Sequence, residues 1–318
     1  MNNVLDAAGP QAAHIVDLWW LTLWVCVVVF VVVMAMLGLG LWRAPRGDAG
    51  MPPDVAPVSA GERHLRWGVG AGIAVSSFLL IGLLVASVLT DRALALMPVD
   101  DALNVRVTAH QFWWEIVYDD PQPDHVFSTA NELYIPVGRP VVVTLEADDV
   151  IHSFWVPNLH GKKDLIPGRR ATIRFRADRP GDFWGRCAEY CGVQHAFMAF
   201  DVVAVSAERF AAWAEAQRKP AAEPSGPAAQ RGRELFLSGS CMLCHAIQGT
   251  TANARKAPDL THVASRAHLA AGRLANTPQT LAAWITDPQR IKPGANMPTH
   301  LLPGDDLAAL VAYLETLK

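Results

Sequence analysis

Positive charge is missing from the first 42 residues, which contain neither lysine nor arginine, and charge of either sign is missing from residues 18–42 and 67–90. A cleaved leader would carry a basic start and a shorter apolar core, so these absences weigh against one. Cysteine is scarce as well. There are five in 318 residues, four of them in two close pairs (Cys187 with Cys191, Cys241 with Cys244) and the fifth, Cys26, inside an apolar run. That pattern excludes a disulfide framework, and Cys26 reads as a small buried hydrophobe. No basic run interleaved with aromatics occurs, which removes nucleic acid from the expected partners.

What is present begins with the two charge-free runs. At about 1.5 Å per residue, each run of some two dozen residues exceeds the roughly 30 Å hydrocarbon core of a bilayer. Both are expected to cross a membrane, over about 18–42 and 67–90. Trp19, Trp20 and Trp24 near one end of the first run and Trp42 at the other suit interfacial anchoring. The loop between the runs holds Arg43, Arg46, Arg63 and Arg66. The excess of arginine there predicts a cytoplasmic loop, with the N-terminus and everything after residue 91 outside. Two helices make an anchor for a larger membrane partner, not a channel.

From 103 to 118, β-branched and aromatic residues nearly alternate, and further strand-like runs fall at 132–137, 140–146, 151–156, 171–177 and 198–205. Short strands at this spacing, separated by Gly, Pro and Asp turns, predict an all-β Greek-key sandwich over about 93–215. An Ala/Pro-rich linker follows over 216–228, and 229–318 forms a last module. Residues 91–217 carry 18 acids against 12 bases and residues 229–318 carry 6 against 9. Opposite net charges favour approach of the two outer modules.

Cys187, Cys191, His195 and Met198 place thiolate, imidazole and thioether donors within twelve residues, a set that suits copper. Two thiolates on one loop can each bridge two metal ions, and His152 lies upstream where a further ligand is needed. The competing reading is a disulfide between Cys187 and Cys191. Three phrases, Asp-Val-Ile-His-Ser-Phe-Trp-Val-Pro (149–157), Lys-Lys-Asp-Leu-Ile-Pro-Gly-Arg (162–169) and Gly-Arg-Cys-Ala-Glu-Tyr-Cys-Gly (185–192), resemble the dinuclear copper (CuA) domain of cytochrome c oxidase subunit II. The resemblance implies a cupredoxin-like fold. It implies that Cys187 and Cys191 bridge two coppers, His152 and His195 cap one each, Met198 binds weakly and the Glu189 carbonyl is the sixth ligand. The Glu189 carboxylate would then face a magnesium ion at the subunit I interface. The chain departs from the family at Phe112, where mitochondrial-type members have the tryptophan associated with taking electrons from soluble cytochrome c. Trp113 and Trp114 follow immediately. It departs again at His64, where the family often has a glutamate; Glu62 is nearby, and neither is assigned a proton-uptake role.

Cys241-Met-Leu-Cys244-His245 is the Cys-x2-Cys-His haem attachment pattern. Two thiols would add to the haem vinyl groups and His245 would bind the iron. Met297 in Lys-Pro-Gly-Ala-Asn-Met-Pro (292–298) is the natural sixth ligand, with His262, His268 and His300 as rivals. A Cys-x2-Cys zinc or redox pair is the alternative, but no second pair with zinc spacing follows. Residues 229–318 resemble an all-α class I cytochrome c domain. The order of modules in this multidomain membrane protein, with its two-helix transmembrane hairpin, resembles subunit II of bacterial oxidases with a fused cytochrome. That resemblance implies a bacterial plasma-membrane location, subunits I and III as partners and a cytochrome c or similar electron donor. A membrane-anchored copper and haem carrier working alone is the second reading.

Overall fold

The two charge-free runs form the long helices α1 (Pro10–Arg43) and α2 (Glu62–Ala95) of a computed structural model that describes residues 3–44, 50 and 62–318. Arg46 and the side chain of Glu62 lie outside the described residues. Both helices are long and apolar enough to cross a membrane, and residues 14–96 form a unit of their own. Apolar side chains such as Trp24, Phe30, Leu37, Phe78 and Leu84 are exposed along them. A helix that is apolar without an inner face suits lipid rather than water.

The alternation over 103–118 resolves into two strands, β1 (Leu103–His110) and β2 (Trp113–Tyr118), which pair antiparallel with Val105 opposite Tyr118. They are joined by β3 (Phe127–Ala130), β5 (Val141–Ala147) and β8 (Ala171–Phe175) in a five-stranded sheet of order β3-β2-β1-β5-β8. A second sheet contains β4 (Glu132–Pro136), β6 (His152–Trp155), β7 (Lys163–Leu165), β9 (Gly181–Cys187) and β10 (Ala199–Val205) in the order β4-β10-β9-β6-β7. Residues Leu103, Val105, Val107 and Ala109 of β1 point inward at every second position and meet Phe154, Phe200 and Trp114 in one core.

Strand β9 is absent from the runs expected of the sequence. Its alternation is carried by Phe183, Gly185 and Cys187, and a glycine gives no hydrophobic signal. Gly185 is required because an added Cβ would lie 2.1 Å from the Phe200 ring. The last stretch of the region expected to be all-β, up to the linker expected from 216, forms a helix, α3 (Ala207–Gln217), whose N-cap Ser206 accepts a hydrogen bond from the Arg209 amide. Trp213 of α3 stacks on Tyr134 with ring centroids 4.3 Å apart.

Only residues 218–226 separate α3 from α4 (Pro227–Ser238), and they are tethered, since the Ala221 amide donates to the Gln248 carbonyl. The C-terminal domain continues through a short hairpin, β11 (His268–Leu269) and β12 (Leu274–Ala275), then α5 (Pro278–Thr286), α6 (Pro288–Ile291) and α7 (Gly304–Leu314). Helices α4 and α7 cross closely at Gly232, where an added Cβ would lie 2.0 Å from the Ala309 carbonyl oxygen.

This domain is docked on the sandwich. Asp201 of β10 faces His268 at 2.7 Å, the Ala267 amide donates to Glu132 of β4 at 2.6 Å, and the Ala199 amide donates to Ala271. Asp201 and Glu132 on the sandwich thus meet hydrogen-bond donors on the C-terminal domain.

Candidate metal and haem sites

Strands β6 and β9 pair with Phe154 opposite Cys187, which brings His152 and Cys187 together at one end of the second sheet. The loop 188–198 then folds back, closed by the Cys187 amide donating to Met198 O and the Ala188 amide donating to Ser153 O. The result gathers all of the copper-ligand candidates. The Sγ atoms of Cys187 and Cys191 are 3.8 Å apart, His152 Nδ1 is 3.8 Å from Cys187 Sγ, His195 Nδ1 is 3.8 Å from Cys191 Sγ, and Met198 Sδ is 3.8 Å from Cys191 Sγ. The Glu189 carbonyl lies 3.1 Å from Cys187 Sγ. His152, Cys187, Cys191 and Met198 are buried, and His195 is half-buried. A disulfide needs sulfurs at about 2.05 Å, so the two cysteines are separate thiols here. Soft donors converging on one buried point fit copper.

Asp149 has a role that the sequence reading did not assign. His152 Nε2 donates to its carboxylate at 2.8 Å, which leaves Nδ1 for the sulfur side. The Gln111 and Val150 amides hold the same carboxylate at 2.6 Å each. Burial alone would raise the Asp149 pKa, but these three donors outweigh it and lower it. Burial alone would lower His152, and its bonds to Cys187 and Asp149 outweigh that and raise it. The Cys191 S–H stabilises a thiolate on Cys187, pulling it down to about 3 against the opposing effect of burial, and Cys191 is pushed up in turn by that neighbouring charge.

The Glu189 carboxylate accepts from Lys162 Nζ at 3.1 Å, and Asp164 lies 3.2 Å from the same ammonium. Lysine, not open space, partners this carboxylate.

In the C-terminal domain Cys241, Cys244, His245 and Met297 line a cavity of about 490 Å³ with Leu310 and Leu314. The volume and apolar walls suit a prosthetic group. His245 Nδ1 donates to the Pro258 carbonyl at 2.7 Å, and burial lowers its pKa, so the ring is neutral with Nε2 left without a hydrogen bond among the described residues. That is the state an iron ligand needs. His262 is excluded as a rival because its two ring nitrogens face the Lys318 and Lys219 carbonyls at 2.8 and 3.1 Å. His268 is bonded to Asp201 through Nδ1 and also borders the cavity.

The same cavity is bordered by Gln111, Phe112 and Trp113 of the sandwich. Trp114, by contrast, is fully buried against His152, Phe154 and Phe200 and belongs to the core. Of the aromatics after Gln111, Phe112 and Trp113 meet the C-terminal domain, Trp113 being stacked on His110 with centroids 4.4 Å apart. Gln111 Nε2 donates to the Cys191 carbonyl at 2.5 Å, joining this loop to the copper-ligand loop.

Comparison with known proteins finds two family models on this chain. The model for the cytochrome c oxidase subunit II periplasmic domain matches residues 121–205, and that for cytochrome c matches residues 229–318. Cytochrome c oxidase subunit 2 of Alkalihalophilus pseudofirmus is 37% identical over 324 residues, spanning 99% of this chain and 91% of that protein. The Bacillus subtilis protein of the same name is 36% identical over 230 residues, 69% of this chain and 63% of its own length. Among solved structures, the periplasmic domain of subunit II of cytochrome oxidase (CoxB) of Bradyrhizobium japonicum is 32% identical, covering 38% of this chain and 97% of that one, with a TM-score of 0.36.

Proposed function

The chain belongs to the cytochrome c oxidase subunit II family, and on that premise we propose that it is the electron-input subunit of a haem–copper terminal oxidase. Electrons pass from a cytochrome c or similar donor through the C-terminal domain to the sandwich, and on to subunit I, where oxygen is reduced. The observation that carries this reading is the shared border of the two sites: the 111–113 loop lines the haem cavity and is bonded to Cys191. When bound, haem c and the copper pair supply one-electron chemistry with saturated coordination.

The residues divide the work as follows. Cys187, Cys191, His152, His195, Met198 and the Glu189 carbonyl would hold two coppers, with Asp149 fixing the His152 ring. Cys241 and Cys244 would anchor the haem covalently, and His245 and Met297 would fill its axial positions. The stiff strands β6 and β9 keep the copper donors in place as charge comes and goes. A magnesium ion at Glu189 would have to replace Lys162 and draw its other ligands from subunit I.

On this reading both redox domains lie on the outer side of a bacterial plasma membrane. Support for an external N-terminus comes from residues 3–8. Asn158 Nδ2 of the sandwich donates to the Asn3 and Asp6 carbonyls at 2.8 Å, and the Ala8 amide donates to Asn158 O. The start of the chain and the copper domain therefore share one side.

Subunit III is a further expected partner. The competing role, a carrier acting alone, is tested by purification. The oxidase reading expects the chain in a stable complex with a large haem-binding polypeptide, with two coppers and one covalent haem per chain. An isolated monomer passing electrons elsewhere would overturn it.

A further inference from the structure

Lys292 is only 2% exposed. An amine stripped of water must find other acceptors, and here they are two backbone carbonyls. Nζ donates to Phe112 O at 2.8 Å and to Ala270 O at 3.0 Å, and Lys292 makes no ion pair among the described residues. Phe112 sits in the loop between β1 and β2 of the copper domain, whereas Ala270 is at the tip of the β11–β12 hairpin of the haem domain. One buried amine therefore ties three pieces of backbone from two domains.

The surroundings are built for this contact. Ala270 and Ala271 both adopt left-handed backbone (φ 52 and 57), followed by Gly272 at φ 81. Alanine in that region is strained, and such strain persists only where packing over-determines it. The tip packs against β10 through the Ala199–Ala271 hydrogen bond, and an added Cβ at Gly272 would press on Ala199 and Trp184. Four residues beyond Lys292, Asn296 Nδ2 donates to Gln111 O at 3.2 Å, and Asn296 precedes Met297 in the chain. Lys292 itself lines the haem cavity.

A buried amine held only by backbone carbonyls is a modest source of stability, but here it specifies geometry, because any slip leaves both carbonyls without their donor. We propose that Lys292 is a positioning residue for internal electron transfer, holding the haem domain in register on the Gln111–Trp113 loop of the copper domain. The proposal rests on the reading above that the C-terminal domain delivers electrons to the copper pair. In each transfer one electron leaves reduced haem and enters the oxidised copper pair. Lys292 makes or breaks no bond; it fixes the gap.

The test uses the assembled oxidase carrying Lys292→Met, with three readouts: the haem and copper spectra, the rate at which an electron placed photochemically on haem c reaches copper, and amide hydrogen exchange at Gln111–Trp113 and at the hairpin tip. Both spectra should be retained, while transfer slows by about tenfold or more, because two buried carbonyls lose their donor and the docked register loosens. Transfer should also become sensitive to solvent viscosity, and exchange at the two docking segments should rise. Intact spectra with an unchanged rate and unchanged exchange would overturn the proposal. If Lys292→Met fails to load haem, Asn296→Ala carries the same test from an exposed position: slower transfer supports the docked register, and an unchanged rate overturns it. An electron that never moves from haem c to copper in the unmodified oxidase would instead sink the underlying reading.

Discussion

Cys187 and Cys191 hold their sulfurs 3.8 Å apart, with a different histidine Nδ1 3.8 Å from each. The arrangement is nearly symmetric about the pair, so neither cysteine can be lost without dismantling both halves. Cys187→Ser and Cys191→Ser should each abolish the mixed-valence copper signal in electron paramagnetic resonance and leave the haem absorbance intact. Retention of that signal in both variants would refute the ligand assignment.

Glu132 gives a pH dependence of defined sign. Burial raises its pKa above the ordinary 4.5, outweighing the Ala267 amide and the Arg266 charge. A carboxylate raised on folding binds more protons in the folded state, so its stabilising effect is full below 4.5 and fades as pH rises through the folded value. In denaturant titrations, the stability of the parent chain relative to Glu132→Gln should therefore fall as pH rises from 4.5 towards neutrality. A difference that stays constant over that window would remove Glu132 as the source.

Much of this was legible in the sequence, for reasons particular residues make clear. His152, Cys187, Cys191, His195 and Met198 are visible because their chemistry is rare and their spacing is local. The β1–β2 region is visible because Val105, Val107 and Ile116 alternate with polar neighbours. Strand β9 is hidden, since Gly185 makes room for Phe200 and so carries no hydrophobic signal. Helix α3 is hidden because its alanines give little apolar contrast within a region expected to be all-β, and its anchor is a tertiary stack of Trp213 on Tyr134. Asp149 and Lys292 could not be assigned at all. Ordinary in type, each acquires its role from partners across the fold, His152 for one and Phe112, 180 positions away, for the other.

Gly232 marks the tightest approach in the haem domain. Its added Cβ would meet Ala309 O at 2.0 Å and Tyr313 Cβ at 2.7 Å, and the first of these is backbone that cannot swing aside. Gly232→Ala gains helix propensity yet must push α4 from α7, a net loss of about 1–3 kcal/mol. Thermal unfolding followed by haem absorbance should show a lowered midpoint. An equal or higher midpoint would show that the helices can part at no cost.

Asn158 is the hook that holds the N-terminal segment, with its side-chain amide donating to both Asn3 O and Asp6 O. Asn158→Ala leaves those carbonyls to water and should cost about 1–3 kcal/mol of local attachment. Hydrogen exchange and protease cleavage in residues 3–9 should rise, with the copper and haem spectra unchanged. Unaltered protection would mean that the Ala8 and Asp178 backbone bonds hold the segment alone.

Met297 is the remaining assignment with a live competitor. His262 has both nitrogens committed to carbonyls, whereas His268, bonded to Asp201 through Nδ1, and His300 both line the cavity with His245. A thioether opposite histidine raises the reduction potential of a haem, whereas a second imidazole does not. Met297→Ala should therefore leave the haem covalently attached through Cys241 and Cys244 but lower its potential and alter its absorbance, and Met297→His should lower the potential while keeping a six-coordinate spectrum. Redox titration of the two variants beside His300→Ala decides the matter. A parent-like potential in Met297→Ala, with a changed one in His300→Ala, would move the sixth position from the methionine to the histidine.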